Sequence, residues 1–100
     1  MKFGSRSMST SRAFSGITVE HVYRIKQTAH AERGVTFDPV DGTSGIATGR
    51  TPFGDCVVRF AHDSSQAVLV LTVLKKPVLL PAGLLWRGFQ GEIERFRTNG

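Results

Sequence analysis

The chain has 100 residues, of which 40% are apolar and 21% are charged. This length suits one hydrophobic core, and the composition is that of a soluble globular protein rather than a disordered one. The single cysteine, Cys56, excludes an internal disulfide bond and a zinc site built from cysteines of one chain. No membrane span is predicted, because the longest apolar stretch, residues 67–86, carries Lys75 and Lys76 near its middle.

The first 16 residues form a basic, serine-rich segment. They include Lys2, Arg6 and Arg12 but no acidic residue, so they supply three of the five net positive charges. So little apolar surface cannot offset the entropy lost on ordering, and we expect a disordered tail at 1–16, a single domain at 17–98 and a short end at 99–100. The composition also fits an organellar transit segment, but it has no apolar run of a secretory signal, and we expect a cytoplasmic protein.

A first helix is predicted over residues 19–33. Thr18 is a suitable N-cap, and Gly34 stands where a left-handed C-cap is needed. Between these two ends, apolar residues recur at helical spacing, namely Val22, Ile25 and Ala29.

Three strands are predicted between residues 35 and 61. Asp41-Gly42 lies between two strand-like runs and predicts a tight hairpin turn, which would pair Phe37 with Ile46. The third run, residues 53–61, alternates and puts one set of side chains on the core face: Cys56, Val58, Phe60 and, just beyond it, His62.

The fourth predicted strand, residues 67–74, is apolar on both faces. Leu69, Leu71 and Val73 share one face, while Val68, Val70 and Leu74 share the other. An antiparallel strand with one face in water would alternate between apolar and polar residues. We therefore expect both faces of this strand to be covered, either within the chain or by a second subunit.

A second helix is predicted over residues 81–97. Pro81 suits the first turn, and an apolar stripe follows at spacings of four, four and three: Leu85, Phe89, Ile93 and Phe96. The predicted fold is α+β, a two-layer sandwich in which a four-stranded antiparallel meander carries an N-terminal and a C-terminal helix on one face, in the order α-β-β-β-β-α.

No motif in the chain predicts catalysis, a cofactor or a metal site. His62, Asp63 and Ser64 are adjacent in a turn, whereas the members of a catalytic triad come from separate elements. His21 and His30 are nine residues apart, so on one helix they point in opposite directions. We therefore predict a protein that is not an enzyme and binds neither cofactor nor metal, with Cys56 as an inert core residue.

The leading functional hypothesis is an interaction module that acts through an apolar sheet face as a homodimer. A twofold interface needs only one self-complementary patch, and an exposed apolar surface usually marks an interface or a ligand groove. The residues predicted for this interface or groove are Val68, Val70, Leu74, Leu79, Leu80 and Trp86.

Two alternatives remain. The first is a pocket for an apolar small molecule between the sheet and the helices, lined by Phe37, Phe60, Trp86 and Phe89. The second is nucleic-acid binding, with Arg6, Arg12, Lys75 and Lys76 as candidate phosphate contacts. The element order is also that of double-stranded-RNA-binding domains, but the start of the last helix lacks the basic cluster of that family, so nucleic acid ranks last.

Overall fold

The computed structural model describes residues 11–99, and over this part of the chain two helices lie against one five-stranded antiparallel sheet. The strands are β1 (Ser11–Ser15), β2 (Thr36–Asp38), β3 (Gly45–Thr51), β4 (Gly54–Asp63) and β5 (Val68–Lys75). The helices are α1 (Val19–Arg33) and α2 (Ala82–Asn99). The predicted α+β class, the antiparallel sheet and both helices are confirmed.

Strand β1 corrects the predicted number of strands. The sequence predicted four, but the described residues form five, in the order β1-β5-β4-β3-β2. The additional strand comes from the end of the segment predicted to be a disordered tail, and it pairs antiparallel with β5, with Phe14 opposite Leu69. The segment forms a strand because it pairs with β5 and because Phe14 is buried, and local composition reveals neither of these contacts. Residues 1–10 of the predicted tail, with Arg6, lie outside the described residues.

Helix α1 has the ends that its sequence predicts. The Thr18 hydroxyl accepts a hydrogen bond from the His21 backbone N–H, and the His21 Nδ1 atom accepts one from the Thr18 N–H. This reciprocal pair satisfies two backbone donors that a helix start leaves unpaired. At the other end Gly34 adopts a left-handed conformation with φ of 68°, and its N–H donates to the His30 carbonyl.

The β2–β3 hairpin differs from its prediction by one residue of register. Phe37 lies opposite Ala47 rather than Ile46, and residues 39–44 form a longer loop instead of a two-residue turn. A shift of one residue exchanges the two faces of a strand, so Ile46 turns away from Phe37. The physical reason is tertiary: the Lys26 side chain holds the loop by its Val40 and Gly42 carbonyl oxygens.

The core lies on one face of the sheet only, which we call the covered face. Helical residues Val22, Trp86 and Ile93 pack there in one cluster with the strand residues Phe60 and Leu69. The predicted core face of β4 is confirmed, since Cys56 and Val58 are buried beside Phe60.

The opposite face, the bare face, has no helix or strand of residues 11–99 over it. On β5 this face carries Val68, Val70 and Leu74, and on β4 it carries Arg59 and Ala61. Because β5 lies between β1 and β4, both of its edges are paired, so it cannot pair edge-to-edge with a second subunit along Val68–Thr72. Within residues 11–99, no helix is long and apolar enough to cross a membrane.

Candidate ligand-binding site

A cavity of about 350 Å³ lies between the covered face and the two helices. Its walls come from α1, from the four strands β2, β3, β4 and β5, and from α2 with the residues that precede it. Ligand clefts in proteins have volumes of roughly 300–1,000 Å³ and mostly apolar walls, so this cavity has the size of a small-molecule site. Its apolar side chains include Val22, Ile25, Val35, Phe37, Val58, Phe60, Leu69, Leu71, Leu80, Leu84, Leu85, Phe89 and Ile93.

Small residues contribute to the cavity walls from three elements. Ala29 on α1, Ala47 and Gly49 on β3, and Gly88 on α2 all line the cavity. A Cβ atom placed on Gly88 would meet no atom within 4 Å, whereas one on Gly49 would lie 3.3 Å from a Val35 methyl group. The space next to α2 is therefore open at Gly88, while the sheet wall behind it is closely packed.

Three of the four aromatic residues predicted for a pocket line the cavity. The Phe37 and Phe60 rings pack edge-to-face, with 5.7 Å between their centroids. Phe89 lies edge-to-face against Trp86, with 5.6 Å between centroids. Trp86 itself is only 3% exposed and packs in the core cluster behind the wall, so it supports the cavity instead of lining it.

Lys26 is the one buried charged side chain among the described residues, and it lines the cavity. Its Nζ atom donates hydrogen bonds to the carbonyl oxygens of Val40, at 2.6 Å, and Gly42, at 2.8 Å. The same atom lies 5.2 Å from the Phe37 ring centroid and 5.5 Å from that of Phe60. Sequence analysis missed this residue, although Lys26 follows Val22 by four positions and so lies on the same helix face.

The opening of the cavity is marked by lining residues that reach solvent. Leu84 is 53% exposed, and the side chains of Arg33 and Arg50 are 62% and 90% exposed. Arg33 forms an ion pair with Glu92 at 3.0 Å, whereas Arg50 and Asp55 are 3.9 Å apart. Exposed pairs of this kind contribute little to stability, so these side chains can move at small cost.

Cys56 also lines the cavity, and its thiol is buried. Burial raises the pKa of this thiol, because a low-dielectric surrounding disfavours the thiolate, and the nearby charge of Lys76 opposes that rise only in part. The thiol is therefore protonated and weakly nucleophilic at neutral pH.

The His62–Asp63–Ser64 segment has structural partners. His62 donates from Nε2 to the Ile17 carbonyl at 2.6 Å, and its buried Nδ1 atom has no hydrogen-bond partner among the described residues. The Asp63 carboxylate accepts hydrogen bonds from Ser65 and Gln66, and the Ser65 hydroxyl is the main reason that the pKa of Asp63 is lowered. These bonds fix the β4–β5 turn.

The other histidines have local roles too. His21 completes the N-terminal cap of α1, and the ring of His30 donates from Nδ1 to the Val35 carbonyl. Over residues 11–99, no group of three or more His, Cys, Asp or Glu side chains is placed to hold a metal ion.

The residues predicted as one interface are divided among four places. Val68, Val70 and Leu74 lie on the bare face, whereas Trp86 is buried in the core. Leu79 is 76% exposed in the connector, the segment of residues 76–81 that leads to α2. The remaining residue of the set, Leu80, lines the cavity. The predicted set is thus not one surface.

The predicted phosphate contacts that are described do not form a cluster either. The Arg12 guanidinium lies over the Trp86 ring, 5.0 Å from its centroid, on strand β1. Lys76 donates to the Leu80 carbonyl at 2.8 Å and so holds the connector. Lys75 is exposed at the end of β5. Arg12 lies opposite Leu71, four residues before Lys75 on that strand, so the two cations are not neighbours.

No protein-family model, curated protein sequence or solved structure matches this chain. Its function is therefore inferred from the chemistry of the cavity and of the sheet surfaces.

Proposed function

We propose that this protein binds an apolar small molecule in the cavity between the covered face and the two helices. The observation that carries the proposal is the cavity itself, about 350 Å³ with predominantly apolar walls. Several of the residues packed against the core remain only partly buried around it, among them Ile25, Phe37 and Phe89. An apolar ligand would remove this surface from water, which is favourable by roughly 25 cal/mol for each Å².

The arrangement of the walls also supports binding. The floor of the cavity consists of hydrogen-bonded strands and of the Phe37 and Phe60 rings, which pack edge-to-face and make this wall rigid. The opening is bordered by exposed arginine side chains and by the first turns of α2, so a ligand can enter without unfolding of the core. Preformed, mostly apolar clefts with a few polar groups are typical of small-molecule sites.

The test uses N-phenyl-1-naphthylamine, an uncharged probe whose fluorescence rises in apolar surroundings. Titration of the wild type with this probe should give a saturable rise in fluorescence. Gly88→Leu places a side chain into the open space at the cavity wall and should weaken binding by about tenfold or more, since an overfilled site excludes the probe.

Gly91→Leu is the matched control. Gly91 lies on the same helix, a Cβ atom there also meets no atom within 4 Å, and the residue does not line the cavity. Both substitutions raise helix propensity by up to about 1 kcal/mol, so thermal unfolding should show both variants folded. Equal loss of probe binding in the two variants, or no saturable binding by the wild type, would contradict the proposal.

A second candidate function is homodimerisation through the bare face. The observation that favours it is the apolar stripe of Val68, Val70 and Leu74, over which no element of residues 11–99 packs. Because both edges of β5 are paired, the two sheets would pack face to face. Light scattering should then give twice 10.9 kDa, and Val70→Lys should give the monomer mass. A monomeric wild type, or a Val70→Lys variant that stays dimeric, would remove this candidate.

A further inference from the structure

Lys26 is a buried cation that has no carboxylate partner among residues 11–99. The residue is only 7% exposed. Its two hydrogen-bond acceptors, the carbonyl oxygens of Val40 and Gly42, are uncharged. Burial of a charge is unfavourable unless partners compensate for the lost water, so an ammonium group at this position needs such partners.

The partners that are present compensate only in part. An ammonium group has three N–H donors, and the two carbonyl oxygens use two of them. The Phe37 and Phe60 rings are attractive to a cation but supply no strong hydrogen-bond acceptor. One N–H donor therefore has no acceptor among residues 11–99, and the Nζ atom lies beside two rings that both line the cavity.

We propose that the ligand of this cavity is an amphipathic carboxylic acid, bound with its carboxylate against the Lys26 Nζ atom and its apolar chain along the remaining walls. The inference rests on the proposed function, because it assigns the ligand class of the same cavity. A carboxylate supplies the missing charge and accepts the third hydrogen bond, and such charge-assisted bonds gain strength where water is excluded.

The arginine side chains at the opening are weaker partners for such a carboxylate. Arg33 is already paired with Glu92, and Arg50 is 90% exposed, where water screens its charge. Lys26 differs from both because it is buried and has no acidic partner within the described part of the chain. The anionic end of the ligand is therefore held inside the cavity, and the chain points away from the ammonium group.

The volume of the cavity sets the size of the ligand. If each non-hydrogen atom takes about the room of a water molecule, about 30 Å³, the cavity of about 350 Å³ holds roughly a dozen such atoms. Decanoate is of this size, and 1-decanol is its uncharged counterpart with the same chain. The pair therefore isolates the contribution of the carboxylate.

The first experiment measures displacement of N-phenyl-1-naphthylamine by decanoate and by 1-decanol at neutral pH. The wild type should bind decanoate about tenfold more tightly than 1-decanol, and Lys26→Met should abolish this preference while leaving 1-decanol binding within about twofold. The control variant, Arg33→Gln combined with Arg50→Gln, should keep the preference. Loss of the preference in the control but not in Lys26→Met, or equal weakening of both ligands by Lys26→Met, overturns the proposal.

A second measurement needs no substitution and remains informative where Lys26→Met does not fold. The chain has four lysines, at positions 2, 26, 75 and 76, so a protein labelled with carbon-13 at the lysine ε-carbons gives few NMR signals. Decanoate should shift the Lys26 signal and 1-decanol should leave it nearly unchanged. An unshifted Lys26 signal at saturating decanoate overturns the proposal.

The outcomes separate this inference from the proposed function. If the wild type binds the naphthylamine probe and 1-decanol but does not prefer decanoate, the proposed apolar site stands and the proposed carboxylate ligand is rejected. If the wild type binds neither the probe nor either decyl compound, both the apolar site and the carboxylate ligand are rejected.

Discussion

The two faces of strand β5 are built from similar residues but differ in burial. On β5, Leu69 on the covered face is 4% exposed, whereas Leu74 on the bare face is 46% exposed. The covered face packs against both helices and still leaves a cavity, while the bare face has no layer of residues 11–99 over it. Apolar composition alone thus does not reveal which face forms the core, because that depends on the side to which the helices return.

The difference also separates the two kinds of binding surface that the chain offers. The covered face presents a concave space with aromatic walls and one buried ammonium group, which suits a small molecule. The bare face presents a shallow apolar stripe, which suits a second flat surface. We therefore expect substitutions and chemical modification to have different effects on the two faces.

The largest difference is expected from neighbouring truncations on β4. Phe60 is 5% exposed and contacts both the Phe37 ring and the Lys26 ammonium group, so Phe60→Ala should lower the free energy of unfolding by about 3–5 kcal/mol. Arg59 is exposed on the bare face, and Arg59→Ala should change it by no more than about 0.5 kcal/mol. Urea unfolding of both variants measures the difference.

A large effect of Arg59→Ala would also be informative. A cost for Arg59→Ala that approaches the cost for Phe60→Ala would mean that the bare face is buried in solution, as a face-to-face dimer requires. Repeating the urea titration at two protein concentrations identifies that case, since the stability of a dimer depends on concentration.

A smaller difference is expected in thiol reactivity. Cys56 lies on the covered face, and burial raises the pKa of its thiol, so iodoacetamide should modify it slowly at neutral pH. The Ala61→Cys substitution, made together with Cys56→Ser, puts the thiol on the exposed side of the same strand and should react about tenfold faster or more. Mass spectrometry over time gives both rates.

The raised pKa of the Cys56 thiol also determines how the stability of the fold changes with pH. Because the pKa of Cys56 is higher in the folded state, its contribution to stability is complete below the pKa of the unfolded thiol. That contribution is lost as the pH rises from the unfolded pKa through the folded one. The free energy of unfolding of the wild type should therefore fall relative to Cys56→Ser at alkaline pH, and a relative rise would contradict the assigned burial.

Much of the fold is predictable because local signals agree with one another. The first helix begins and ends where Thr18 and Gly34 predict, and the alternation in residues 53–61 identifies the buried face of β4. Strand β1 and the register of β2 are not predictable in this way. Each depends on a contact distant in sequence, β1 on its pairing with β5, and the β2–β3 loop on its bonds to Lys26.

The site is predictable only in part. Phe37, Phe60 and Phe89 belong to the cavity, as the pocket hypothesis states, because large apolar side chains on core faces converge between the layers. Lys26 is absent from every predicted set, since a lysine on a helix is normally solvated. Its burial follows from the return of the loop at residues 39–44, which supplies carbonyl oxygens to the ammonium group.

By itself, the sequence determined the elements whose causes are local: the capped helix, the amphipathic second helix and the strands between them. Only the tertiary structure decided which face of β5 is covered, that residues 11–15 form an edge strand, and that Ala47 and Gly49 of β3 line the same cavity as Gly88 of α2. The physical reason is that capping and periodicity act over a few residues, whereas sheet order, burial and empty space depend on segments far apart in the chain.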